Sequence, residues 1–115
     1  MTSKIKIVNI EEGMPTAHQA HARLTGELQL ARSAGVSVVK LILGYGSSGV
    51  GGDLRIALQA SLRQMAVRGE IRECIFGENW RRGDDSAWAL VKRFPELKHD
   101  SDFDRRNKGI TLVVL

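Results

Sequence analysis

The sequence predicts an α/β fold, a two-layer sandwich in which a four-stranded mixed sheet carries two main helices on one face. Three observations predict it. Apolar runs rich in Val and Ile alternate with stretches whose apolar residues recur at three- and four-residue steps, the elements read strand, helix, strand, helix, strand, insertion, strand, and both main helices follow strands. Right-handed crossovers then place the two helices on the same side of the sheet and leave the other side for the insertion or a partner.

Each element has its own signal. Ile5-Lys6-Ile7-Val8-Asn9-Ile10 reads as the first strand, and it ends at two carboxylates, Glu11 and Glu12. Pro15 and Thr16 punctuate the turn, after which Ala17, Ala20, Leu24, Leu28 and Ala31 describe an amphipathic helix closed by Gly35. Val36 to Leu43 is nearly continuous in apolar residues, broken by Ser37 and Lys40, as expected of a central strand. Asp53 then reads as the cap or first-turn acid of a second helix, whose stripe Leu54, Leu58, Leu62 and Met65 is its buried side and which Gly69 stops. Ile71 to Phe76 is the third strand. Ile110 to Leu115, entered through Asn107-Lys108-Gly109, is the fourth. The insertion between them, roughly residues 77–106, holds a short helix capped by Asp84-Asp85-Ser86, ended by Pro95 after Phe94, with Trp88 and Val91 facing inward.

Composition narrows the function classes. The 115 residues are read as one domain spanning 1–115, too small to add a second catalytic domain. No apolar stretch reaches the roughly 18 residues of a membrane span, and the run after Met1-Thr2-Ser3-Lys4 is short for a signal peptide, so a cytoplasmic protein with no membrane partner is expected. Cys74, the single cysteine, lies in an apolar run and reads as a small buried hydrophobe; one cysteine excludes an internal disulfide and a thiolate metal cage. The net charge of +4 invites an anionic partner.

The chemistry concentrates at Gly44-Tyr45-Gly46-Ser47-Ser48-Gly49-Val50-Gly51-Gly52, where a strand empties into a glycine-rich loop that opens a helix. Glycine allows the backbone to approach a ligand, and the first amides of a helix lack internal partners, so such a junction suits phosphate. A plain connector would satisfy the same turn geometry, but five glycines in nine residues favour contact with a phosphate or a partner. Arg55 is placed to assist. The loop matches the dinucleotide fingerprint by letter, with Glu70 or Glu73 near the ribose-binding distance, but the expected helix start at Asp53, beyond Gly51-Gly52, argues against it. A Walker loop fails because Val50-Gly51 stand where Lys and Ser or Thr are required.

Other side chains carry weaker signals. Trp80 beside Arg81-Arg82 reads either as a base-stacking and phosphate-contacting group or as a core-edge tryptophan with solvated arginines, and Arg105, Arg106 and Lys108 extend the basic surface or are loop charges. His18 and His21 lie three apart without a carboxylate at ligand spacing, and read as surface histidines. Asp100-x-Asp102-x-Asp104, with Asp84-Asp85, lacks the glycine and distal glutamate of a calcium loop and reads as caps and turns, so no resident cofactor is expected.

The strand Lys40-Leu41-Ile42-Leu43 running into Gly44-Tyr45-Gly46, the following Gly49-Val50-Gly51-Gly52-Asp53-Leu54-Arg55, and the ending Asn107-Lys108-Gly109 before an apolar strand together resemble the small MutS-related, or Smr, domain over most of the chain. That resemblance implies the same sandwich, which the family shares with the C-terminal domain of translation initiation factor three, and binding of DNA or RNA, with nicking or cleavage in several members. Two family signatures are altered. The Leu-Asp-x-His box falls on Val8-Asn9-Ile10-Glu11, and the histidine of the His-Gly-x-Gly loop falls on Leu43, which can neither move a proton nor bind a metal. The resemblance therefore implies a catalytically impaired nucleic-acid-binding domain using the glycine loop, Arg55 and a basic surface. An endonuclease using Glu11, aided by Glu12, with Mg or Mn as an optional metal, is the alternative. A third is a protein-interaction module in which the open sheet face or the apolar insertion around Trp80, Trp88 and Phe94 docks a protein partner or a second copy as a homodimer.

Overall fold

A computed structural model describes residues 4–13, 15–44 and 50–115, with residues 50–53 described as helical backbone alone. Four strands, β1 (Ile5–Asn9), β2 (Val38–Ile42), β3 (Glu73–Phe76) and β4 (Ile110–Val114), form one mixed sheet in the order β1-β2-β4-β3. β1 runs parallel to β2, and β4 is antiparallel to both of its neighbours. β1, β2 and β3 therefore end at the same edge of the sheet, where β4 begins.

The helices α1 (Ala17–Ser33) and α2 (Val50–Val67) cover one face, as the crossover rule requires. α1 opens on a complete capping box: the Thr16 hydroxyl accepts from the Gln19 amide while the Gln19 side chain accepts from the Thr16 amide. Its stripe Ala20, Leu24, Leu28 and Ala31 meets Leu54, Leu58, Leu62 and Met65 of α2 over Val8, Val39, Leu41 and Val113. All four predicted α2 core positions are buried.

The opposite face is closed by the insertion. α3 (Asp85–Arg93) is capped by Asp84, whose carboxylate accepts from the Ala87 amide at 2.9 Å, and Ala87, Leu90 and Val91 pack with Leu97 and Phe103 onto Val38, Ile75, Leu112 and Val114. Of the two expected covers for this face, the insertion is the one found, so the face is not open to a partner; Ile7 on edge strand β1 remains 62% exposed. Trp88, half-buried, packs inward against this core with Val91 as expected, and the fully buried aromatic of the insertion is Trp80.

α2 also starts earlier than expected, at Val50, so Gly51 and Gly52 belong to its first turn and Asp53 is not its cap. Glycine and valine are weak helix formers, so propensity alone puts the boundary a few residues late. The early start removes the helix-boundary argument against a dinucleotide site. A stronger one replaces it: Glu73 pairs with Val114 at the amino end of β3, and Glu70 precedes it, so both acids lie at the edge of the sheet opposite Gly44.

Candidate functional site

The carboxyl edge of the parallel strands is where open α/β sheets place ligands, and here it gathers the ends of β1, β2 and β3 with the turn into β4. At the end of β1 the Asn9 side chain accepts from the amides of Glu11 and Glu12 at 3.0 and 3.1 Å, which bends the chain out of the strand. Arg23 of α1 fixes the same bend by donating to the carbonyls of Ile10 and Glu12 at 2.9 and 2.6 Å. Asn9 thus serves as a turn former where the resembled family has an acid. The bend carries the Glu11 carboxylate directly over Gly44, so close that a Cβ on Gly44 would lie 1.8 Å from Glu11 Oε2. Gly44 also has φ +79°, a conformation that favours glycine, whereas the exposed Glu11 side chain could swing aside for a Cβ.

The Asn107-Lys108-Gly109 turn seats the start of the loop. The Gly109 carbonyl accepts from the amides of Leu43 and Gly44 at 2.6 and 3.1 Å, and the Asn107 side-chain oxygen accepts from the Gly109 amide at 2.8 Å. Gly77, at the end of β3, presses on the other side of this turn: a Cβ there would fall 1.6 Å from the Asn107 carbonyl oxygen. Glu11, Gly44, Gly77, Asn107 and Gly109 therefore form one contiguous edge.

Tyr45, Gly46, Ser47, Ser48 and Gly49 lie outside the described residues, while Gly51 and Gly52 are in α2. Arg55, one turn into α2, is half-buried, and its buried Nε has no hydrogen-bond partner among the described residues. Glu12 takes part through its backbone, as above. The group expected around Trp80 is not assembled for stacking. Trp80 is 0% exposed, donates from Nε1 to Asp100 at 3.0 Å and meets Phe103 edge-on at 4.9 Å, so no base can reach its ring. Arg82 is turned to Asp104 and lies 5.8 Å from the Trp88 ring, and Arg81 packs beside Gly83. The insertion needs Trp80 as its apolar centre, and that burial outweighs an exposed role.

The acidic run has its own partners. Lys40, 5% exposed in β2, donates to Asp100 at 2.8 Å and Asp102 at 2.5 Å, and Asp102 also accepts from the Asn107 amide nitrogen at 2.8 Å. Burial works against the Lys40 charge, but the hydrogen bonds and negative charges of Asp100 and Asp102 outweigh it and raise its pKa above 10.5. Burial likewise disfavours the charged form of Asp102, and Asn107, Lys40 and Arg105 overcome that and hold its carboxyl below 3.8. A lysine interrupting a central strand is the sequence signal for this cluster, since a buried ammonium must be paired. His18 and His21 are exposed on α1. Among the described residues no group of three or more His, Cys, Asp or Glu is arranged to hold a metal ion, and no helix is long and apolar enough to cross a membrane.

The sequence matches no known family, no curated protein and no solved structure.

Proposed function

We propose that the chain binds the phosphate backbone of nucleic acid, DNA or RNA, at the carboxyl edge of its sheet, as a catalytically impaired domain of the Smr kind. The observation that carries this is Arg55: a guanidinium whose Nε is buried without a partner among the described residues, one turn inside the helix that the glycine loop opens. A buried donor left unpaired is costly, and a phosphate oxygen is the acceptor that suits a guanidinium best. The first amides of α2, like those of any helix start, lack internal partners and add donors of the same kind, and Arg55 lies one turn beyond them. Backbone contact of this kind is indifferent to base sequence and weakens with salt.

The position of Glu11 favours a second reading, a nicking endonuclease. A carboxylate over the loop can take the proton of an attacking water, with Mg or Mn admitted as a co-reactant. One experiment separates the two: labelled single-stranded, duplex and branched DNA and RNA are titrated at low salt with and without magnesium or manganese. Binding without cleavage supports the proposal. Cleavage that Glu11→Gln abolishes supports the nuclease, and no binding at the lowest salt removes both.

A further inference from the structure

We infer that Lys40 is a positioning residue for Leu43 and Gly44 at the end of β2, acting from the far face of the sheet through Asp102 and Asn107. Its consequence for binding rests on the phosphate site proposed above; the contacts that define it do not. The chain of contacts is continuous. Lys40 Nζ holds Asp102 Oδ2 at 2.5 Å, Asp102 Oδ1 accepts from Asn107 Nδ2 at 2.8 Å, Asn107 Oδ1 accepts from the Gly109 amide at 2.8 Å, and the Gly109 carbonyl accepts from Leu43 and Gly44. Each link fixes the orientation of the next. With one oxygen of Asp102 committed to Lys40, the other faces Asn107, which sets which end of the Asn107 amide donates and which is left for Gly109.

A buried ion pair is a poor device for stability alone, because an apolar side chain of similar volume fills the space without the cost of desolvating two charges. Orientation is what the charges add. The acidic segment contains two non-glycine residues with positive φ, Asp104 at 67° and Arg106 at 55°, a backbone course that persists only where its surroundings enforce it. Lys40, only four residues before Gly44 on its own segment, anchors the start of that course through Asp100 and Asp102, while the Trp80 carbonyl and the Arg82 amide hold Asp104. The Trp80 bond to Asp100 is a side branch of the same cluster that does not lead to Gly109.

The test compares three variants by amide hydrogen exchange and by anisotropy with a labelled oligonucleotide at low salt. Lys40→Met and Asn107→Ala cut the chain; Trp80→Phe removes the side branch together with some of the insertion's packing, and so controls for a general loss of stability. The expected result is that the first two speed exchange at Leu43 and Gly44 by about tenfold more than at Val39 and Leu41, the size of one charge-assisted hydrogen bond, and weaken oligonucleotide binding by about the same factor. Trp80→Phe should leave that exchange ratio at its wild-type value. A ratio unchanged in Lys40→Met overturns the positioning role, and a changed ratio with unchanged affinity overturns its functional part. Should Lys40→Met not fold, Asp102→Ala, which leaves Lys40 with Asp100 and Asn107 with Gly109 and cuts only the link between them, carries the test, and an unchanged ratio there overturns the role equally. Wild-type protein that binds no oligonucleotide refutes the phosphate site, while the exchange ratio still decides whether Lys40 positions Leu43 and Gly44.

Discussion

Replacing Lys40 by Met removes the ammonium while keeping an unbranched apolar stem, and leaves Asp100 and Asp102 without the buried cation they share, with Arg105 alone acting on Asp102. The side chains are 6%, 11% and 22% exposed for Lys40, Asp100 and Asp102. Breaking a buried pair at one partner costs about 3–5 kcal/mol, and the partial access of water to Asp102 puts the expected loss near the lower end, about 3 kcal/mol. The loss should depend on pH. Asp102 is held below 3.8 in the folded protein, so its contribution is complete above that value and disappears as pH falls through the lowered folded pKa. Lys40 is raised above 10.5, so its contribution is complete below that value and disappears as pH rises through the raised folded pKa. Between these limits the wild type exceeds Lys40→Met by the full amount, and in acid the gap narrows because the unpaired carboxylates of the variant are neutralised. Urea unfolding at neutral and acid pH measures it. The triple variant Lys40→Met, Asp100→Asn, Asp102→Asn should recover most of the loss at neutral pH. A neutral-pH loss below about 1 kcal/mol, the range of an exposed pair, or a loss that does not change in acid, would refute a buried ionic cluster.

Gly77→Ala should destabilise by about 3 kcal/mol or more in urea unfolding, because its Cβ would meet only backbone, at 1.6 Å from the Asn107 oxygen and 2.8 Å from that of Ile110; a loss under about 1 kcal/mol would mean the turn is not seated there. Gly26→Ala, in the interior of α1 with nothing within 4 Å of the new methyl, should stabilise by about 0.5–1 kcal/mol, seen as a raised urea midpoint. Burial pushes the Cys74 thiol up, Arg63 pulls it down and Glu73 adds to the rise, for a net increase above 9.0. Maleimide labelling at neutral pH should therefore run slower than for free cysteine, and labelling at the free-thiol rate would contradict its burial.

Periodicity made the strand and helix order legible because each main element has one decisive face: Leu54, Leu58, Leu62 and Met65 could be read as a buried stripe before any contact was known. Asp84 was legible as a cap because capping is local chemistry, whereas Thr16, read only as part of a turn, is the cap of α1. What escaped was long-range. Lys40 and Asp102 are 62 residues apart and meet only because β2 lies beneath the insertion, so Asp100 and Asp102 read as solvated turns. Trp80 carries the same local signals whether exposed beside arginines or buried over β4, and only the closure of the second sheet face decides. Gly77 carries no local signal of its contact, since the backbone it touches arrives 30 residues later, at Asn107. At the candidate site the sequence signalled Glu11, the loop and Asn107-Lys108-Gly109 separately; the common edge that joins them follows from the parallel pairing of β1 with β2 and the return of β4.

The most direct measurement is the salt dependence of oligonucleotide affinity for the wild type, Arg55→Ala and Arg82→Ala, each verified as folded by circular dichroism. Phosphate binding at Arg55 predicts that Arg55→Ala weakens affinity about tenfold for all sequences alike and lowers the slope of log affinity against log salt by about one, while Arg82→Ala, whose guanidinium is already turned to Asp104, changes neither by much. Equal affinities and slopes for wild type and Arg55→Ala, or no wild-type binding at low salt, would contradict the site.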